Sequence, residues 1–131
     1  LLYNDDGLEG EVLMVGDESV LPAIAGICGS LADDARGTAV IEIGHRDDIQ
    51  DFARPAGIDI RWVERGDVRE GQAALEELRG LRMPEEFGYA YNAGEQSLAT
   101  GARRHLVRDR GIDKRRITFT GYWKLGKSYV D

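Results

Sequence analysis

Two short polar turns carry the chemistry open to this chain. Gly16-Asp17-Glu18-Ser19 follows the apolar run Val12-Leu13-Met14-Val15, and Gly94-Glu95-Gln96-Ser97 follows Tyr89-Ala90-Tyr91-Asn92-Ala93. In both, an extended run stops at a glycine, and carboxylates with a hydroxyl open an amphipathic helix. Backbone N–H groups at a helix start attract anions, phosphates above all. In open parallel sheets the loops at the carboxyl ends of the strands form the ligand crevice, so the paired turns point to a small-ligand site. Neither turn is a GxGxxG or a Walker A loop. Asp17 and Glu18 would repel a pyrophosphate unless one caps the helix and the other turns away. Complementing the helix dipole without touching a ligand is their plainer role, and Gly94-Glu95 has the same two readings.

Other side chains sort by position along the same edge. Arg46 follows the second predicted strand, where related nucleotide folds read the adenosine ribose or its 2′-phosphate. One arginine there favours NADPH, whereas its neighbours Asp47 and Asp48 oppose a 2′-phosphate. Lys124 and Lys127 follow the last strand on the same edge; Lys114, Arg115 and Arg116 precede it and fall at the opposite edge. Tyr122 and Trp123 close the last strand, where aromatics either cover a flat ring such as nicotinamide or flavin or pack over the sheet edge. A phosphoryl-accepting receiver would need an aspartate after the third strand, but the sequence there is Trp62-Val63-Glu64. Ser19 and Ser97 lack a GxSxG elbow. His45 and His105 lie near no nucleophile, and His105 reads as a helix-surface residue. No His, Cys or carboxylate spacing matches a metal motif.

The elements that must position these residues follow from periodicity. Predicted strands are Glu11–Val15, Thr38–Ile43, Ile58–Val63, Gly88–Ala93 and Ile117–Thr120. The third alternates apolar with polar residues, as a strand near an edge does. Leu21, Ile24, Ala25, Cys28 and Leu31 recur at helical spacing, with Ser19 as N-cap and Pro22 in the first turn. A short helix with Ile49 and Phe52 on one face is predicted before Pro55. Ala74, Leu75, Leu78 and Leu81 mark a third helix, and Leu98, Ala102 and Leu106 a fourth that ends before Gly111. The order β-α-β-α-β-α-β-α-β predicts a three-layer α/β fold, a doubly wound five-stranded parallel sheet.

The 131 residues read as one domain, 1–131, able to bury a core without staples. A net charge of −7 argues against a nucleic-acid partner. The charge is uneven: about +6 from Gly101 onward and about −13 before it. That leaves open a basic docking zone for an acidic partner. A lone cysteine, Cys28, among apolar helical neighbours implies a buried thiol in a reducing, cytoplasmic setting. No apolar run reaches membrane-span length, so no membrane partner is expected.

Several segments together resemble the C-terminal domain of the siderophore-interacting protein family, ferric-siderophore reductases within the ferredoxin–NADP⁺ reductase superfamily. They are Gly16-Asp17-Glu18-Ser19-Val20-Leu21-Pro22-Ala23-Ile24, Ile41-Glu42-Ile43, Ala93-Gly94-Glu95, Arg103-Arg104-His105-Leu106, Arg110-Gly111 and Gly121-Tyr122-Trp123-Lys124-Leu125-Gly126. The likeness runs from about Glu11 to Gly126. It implies a nucleotide-binding domain paired with an N-terminal flavin-binding barrel, with NADPH or NADH passing a hydride to FAD and the flavin reducing Fe(III) in a ferric siderophore to Fe(II). Gly16, Asp17, Glu18, Ser19, Gly94 and Glu95 would line the nucleotide cleft. Arg46 would meet the 2′-phosphate, Tyr122 and Trp123 would lie near the flavin–nicotinamide contact, and Lys124 and Lys127 would attract the anionic siderophore.

The flavin barrel is not among these residues, and the chain opens Leu1-Leu2-Tyr3 without methionine. The expectation is therefore the nucleotide-binding half of a larger oxidoreductase, without turnover by itself. The alternative from a different class is a non-catalytic α/β docking module that uses its basic C-terminal segment.

Overall fold

The computed structural model describes residues 10–123. Strands β1 (Glu11–Asp17), β2 (Arg36–Ile43), β3 (Gly57–Glu64), β4 (Phe87–Glu95) and β5 (Ile117–Trp123) pair in the order β3-β2-β1-β4-β5. Every pairing is parallel, so each connection crosses over the sheet. Helix α1 (Leu21–Ser30) covers one face, packing on Met14, Ile41 and Tyr91. Helices α2 (Gln72–Gly80) and α3 (Gln96–Arg104) cover the other, over Leu13, Val15 and Val40. Successive strand residues point to opposite faces, so the central strands are buried on both sides and read as continuous apolar runs. The alternating β3 is an edge strand, as its sequence predicts. The order also differs from the 2-1-3-4-5 order of receiver-type folds.

Three expectations are corrected. No helix follows β2; a single 3₁₀ turn, Arg46–Asp48, stands there, and among the described residues the α-helices number three. Pro55 keeps Arg54 out of the helical region, which leaves too short a segment, so Ile49 is 48% exposed while Phe52 still packs on the core. Ser19 is not the N-cap: the Asp17 carboxylate accepts from Ser19 N, and Pro22 does occupy the first turn of α1. His105 is buried rather than on the surface.

The burial of His105 has a local cause. The last turn of the fourth predicted helix widens into a π-turn, His105–Asp109, and a π-turn re-aims side chains relative to the α-helical stripe. The His105 Nε2 accepts from Arg110 Nε at 3.1 Å and Nδ1 lies 2.9 Å from Asp109 Oδ2. A guanidinium only donates, so Nε2 is the acceptor and Nδ1–H donates to Asp109. Arg110 also donates to the carbonyls of Arg79 and Leu81, closing the C-terminus of α2.

Candidate functional site

The sheet order reverses between β1 and β4, and in open α/β sheets the crevice at such a switch point receives the ligand. Both polar turns meet there. Each strand runs one residue past its glycine, β1 to Asp17 and β4 to Glu95. The Asp17 carboxylate is fully buried. Its Oδ2 accepts from Glu95 N at 2.8 Å, and its Oδ1 accepts from Ser19 N at 2.9 Å and from Ser19 Oγ. Glu95 Oε1 caps α3 by accepting from Leu98 N at 3.1 Å. Glu95 Oε2 and the side-chain amide of Asn92 are buried without a hydrogen-bond partner among the described residues.

Both glycines are needed for this closeness. Gly94 has φ +113°, and a Cβ there would stand 2.7 Å from Asp17 Oδ2. A Cβ on Gly16 would collide with the Val20 side chain. Asp17 and Glu95 thus fix the two loops to each other instead of presenting bare carboxylates.

A second network, absent from the sequence-based expectations, ties the remaining loops of this edge. Glu42, fully buried near the end of β2, accepts from Gly71 N at 2.7 Å, Arg65 Nε at 2.9 Å and Ala74 N at 3.0 Å. Gly71 opens α2 at φ +89°, where a β-carbon would be strained. Arg65 reaches on to Glu18 Oε1 at 2.6 Å, and Glu18 Oε2 accepts from Gly44 N at 2.8 Å. Burial pulls the Arg65 guanidinium down, but its bonds to Glu18 and Glu42 outweigh that and leave its pKa raised. Glu18 is therefore neither free nor merely a dipole complement: it clamps the β2 turn. The available signal was a lone carboxylate inside the apolar run Thr38–Ile43, because a buried charge demands partners.

Arg46 is exposed on the 3₁₀ turn after β2. The turn is capped from both sides: Asp48 Oδ2 accepts from His45 N at 3.2 Å, and His45 Nδ1 accepts from Asp47 N at 3.0 Å. Asp47 Oδ2 also lies 3.3 Å from Nδ1, but a nitrogen receiving a backbone N–H carries no proton, so this is not an ion pair. Between this turn and the start of α1 lies a cleft of about 340 Å³ lined by Glu18, Leu21, Pro22, Asp48 and Gln50. A second, about 180 Å³, separates the starts of α2 and α3, with Gly71, Ser97 and Leu98 in its wall and Arg69 beside them. The backbone of Tyr122 and Trp123 belongs to β5; their side chains, and Lys124 and Lys127, lie outside the described residues. Among the described residues no group of His, Cys, Asp and Glu is placed to hold a metal ion, and no helix is long and apolar enough to cross a membrane.

The family model for siderophore-interacting proteins matches residues 9–126. The chain belongs to this family. It is 30% identical over 119 residues to the ferric vibriobactin reductase ViuB of Vibrio cholerae, covering 88% of this chain and 44% of that protein. An uncharacterized protein of Mycobacterium tuberculosis is also 30% identical, over 127 residues, with 88% and 45% covered. Among solved structures, the siderophore-interacting protein SipS of Aeromonas hydrophila superposes with a TM-score of 0.78 at 30% identity, over 89% of this chain and 52% of that one. A siderophore utilization protein of T. fusca gives 0.78 at 28% identity, over 92% and 47%. The chain thus spans under half the length of the curated relatives it matches.

Proposed function

We propose that this domain binds the nicotinamide nucleotide of a flavin-dependent ferric-siderophore reductase, as the C-terminal part of a longer protein. The observation that carries the reading is the switch-point edge of a 3-2-1-4-5 parallel sheet, bordered by clefts, in a chain 30% identical to a ferric vibriobactin reductase. The residues fit a dinucleotide in kind. Ser19 gives both its N–H and its hydroxyl to Asp17, so a phosphate would be met by the start of α1, whose cap position Val20 offers no side-chain hydrogen bond. Asp17, Glu95 and Glu42 hold the surrounding loops in shape.

In this scheme the nicotinamide supplies a hydride to a flavin carried outside this domain, and the two electrons reduce two Fe(III) ions to Fe(II), which hard oxygen chelators hold less tightly. Gly16 to Ser19 and Gly94-Glu95 border the nucleotide. Arg46 would meet its ribose end; Tyr122 and Trp123 are assigned to its nicotinamide end, and Lys124 and Lys127 to the siderophore, by the family resemblance alone. The basic C-terminal segment gives less support to a docking module: Arg110, Arg115 and Arg116 are already engaged with His105, Asp113 and the Phe87 carbonyl.

The test is an amide-resolved NMR titration of the chain with NADH. Saturable shifts centred on Gly16–Ser19, Gly44–Asp48 and Gly94–Glu95 are expected. Shifts confined to the amino-end edge, around Lys114–Arg116, would sink this reading in favour of docking.

A further inference from the structure

We propose that the site selects the nicotinamide dinucleotide that lacks a 2′-phosphate and turns the phosphorylated form away; this rests on the nucleotide-binding reading above. In doubly wound folds the end of β2 and the turn after it meet the adenosine ribose. A carboxylate there accepts from the free 2′-hydroxyl, and an arginine there accommodates a 2′-phosphate. Both residue types stand at this position, so the choice depends on which are available.

Among the described residues the cations are mostly spent. Arg65, the guanidinium nearest the β2 end, is held between Glu18 and Glu42 at 2.6 and 2.9 Å, and its side chain is only 16% exposed. Turning it to a phosphate would leave Glu42 as a buried carboxylate without its cation, a costly state. Arg46 is exposed, but it is not among the residues lining the cleft, and Asp47 and Asp48 follow it directly.

Asp48 is the carboxylate that remains available, because Glu18 already accepts from Arg65 and from Gly44 N. Among the described residues, Glu18 and Asp48 line the cleft and no cation does. Asp48 accepts one backbone bond, from His45 N. An ionised carboxylate has about four acceptor positions, so Asp48 keeps room for ribose hydroxyls. A 2′-phosphate, with a charge of about −1.5 to −2 near neutral pH, would enter a rim where, among the described residues, Glu18 and Asp48 line the cleft, Asp47 stands beside Asp48 on the exposed turn, and the Arg65 guanidinium is already held by Glu18 and Glu42. A hydroxyl gains a bond there, whereas a phosphate meets like charge.

The experiment is a parallel titration of the chain with NADH and NADPH, and with 5′-AMP and adenosine 2′,5′-bisphosphate, at low and high salt. At low salt the 2′-phosphorylated member of each pair should bind at least about tenfold more weakly. The gap should narrow as salt screens the exposed carboxylates and in the Asp47→Asn/Asp48→Asn double variant. Equal or tighter binding of NADPH would overturn the preference and leave the nucleotide reading standing. A gap that the double variant does not change would overturn the part of the proposal that rests the preference on Asp47 and Asp48. Absence of shifts with all four ligands at millimolar concentration would instead sink the nucleotide reading, and the preference with it.

Discussion

The carboxylate of Asp17 accepts a hydrogen bond from the backbone N–H of Glu95 at 2.8 Å, joining residues 78 apart in the chain. The bond spans the switch point, where β1 and β4 send their helices to opposite faces of the sheet. Glu95 in turn caps α3, while Asp17 caps the turn that leads into α1. One carboxylate therefore sets the spacing of the two loops that border the crevice. Its other oxygen is occupied by Ser19 N and Oγ, so the side chain has little freedom to turn toward a ligand.

Asp17→Asn should expose this dependence. The amide is isosteric, but its NH₂ must face either Glu95 N or Ser19 N, donor against donor, in a buried place. The expected loss is about 1–3 kcal/mol. It would be read as a lower urea midpoint with an unchanged slope, together with faster hydrogen exchange at the Glu95 amide. Wild-type stability in this variant would mean the bond is not formed in solution.

Gly94→Ala should be worse than an ordinary strand substitution. The new Cβ must adopt φ near +113° and stand 2.7 Å from Asp17 Oδ2. Backbone strain and the clash together should cost about 2–4 kcal/mol. Gly26→Ala is the matched control: nothing lies within 4 Å of a Cβ there, and alanine in mid-helix should add about 0.5–1 kcal/mol. Similar effects at both positions would show that the tight approach at Gly94 is not real.

Much of this arrangement is legible in the sequence, and what is not has physical causes. The three central strands are readable because a strand buried on both faces must be apolar throughout, and β3 is readable as an edge because one of its faces is wet. The twin Gly-acid joints are readable as the carboxyl-end edge of the sheet, because each closes a buried parallel strand. The helix expected after β2 fails because capping residues and Pro55 compete with an apolar stripe too short to win. The burial of His105 is not legible because the π-turn that produces it is invisible in a 3.6-residue period. The link of Glu42 to Arg65 joins residues 23 apart, and only the polar interruption of an apolar run hints at it. The sequence singles out Asp17 and Glu18, but not that each is engaged by another loop.

Arg65→Met tests whether that link is structural. Removing the cation leaves Glu42 fully buried with only its two backbone donors, Gly71 N and Ala74 N. A loss of about 3–5 kcal/mol is expected for a broken buried pair. The double variant Glu42→Gln/Arg65→Met should recover part of it, because the uncompensated charge is gone. A double-mutant cycle by chemical denaturation gives the coupling; strictly additive losses would mean the two side chains do not depend on each other.

Asp113 offers a test of the electrostatics at the opposite edge. Arg115 donates to it from the guanidinium at 2.8 Å and from its backbone N–H at 2.9 Å. The side-chain hydrogen bond first, then the backbone bond, lower its carboxyl from 3.8 to about 2. The group releases its proton more readily when folded. Its contribution to stability is therefore present in full above its unfolded pKa and is lost as pH falls from about 4 toward 2. The pair is exposed, so its effect on stability is small and screened by salt; the titration itself is the sharper readout. Side-chain carboxyl chemical shifts followed against pH should place the Asp113 midpoint near 2. In Arg115→Gln the midpoint should return most of the way to 3.8, held back only by the remaining backbone N–H and by Arg116. A native midpoint already near 3.8 would mean that the Asp113–Arg115 contact is not maintained in solution, and that the turn launching β5 is held by the Asp113–Arg116 backbone bond instead.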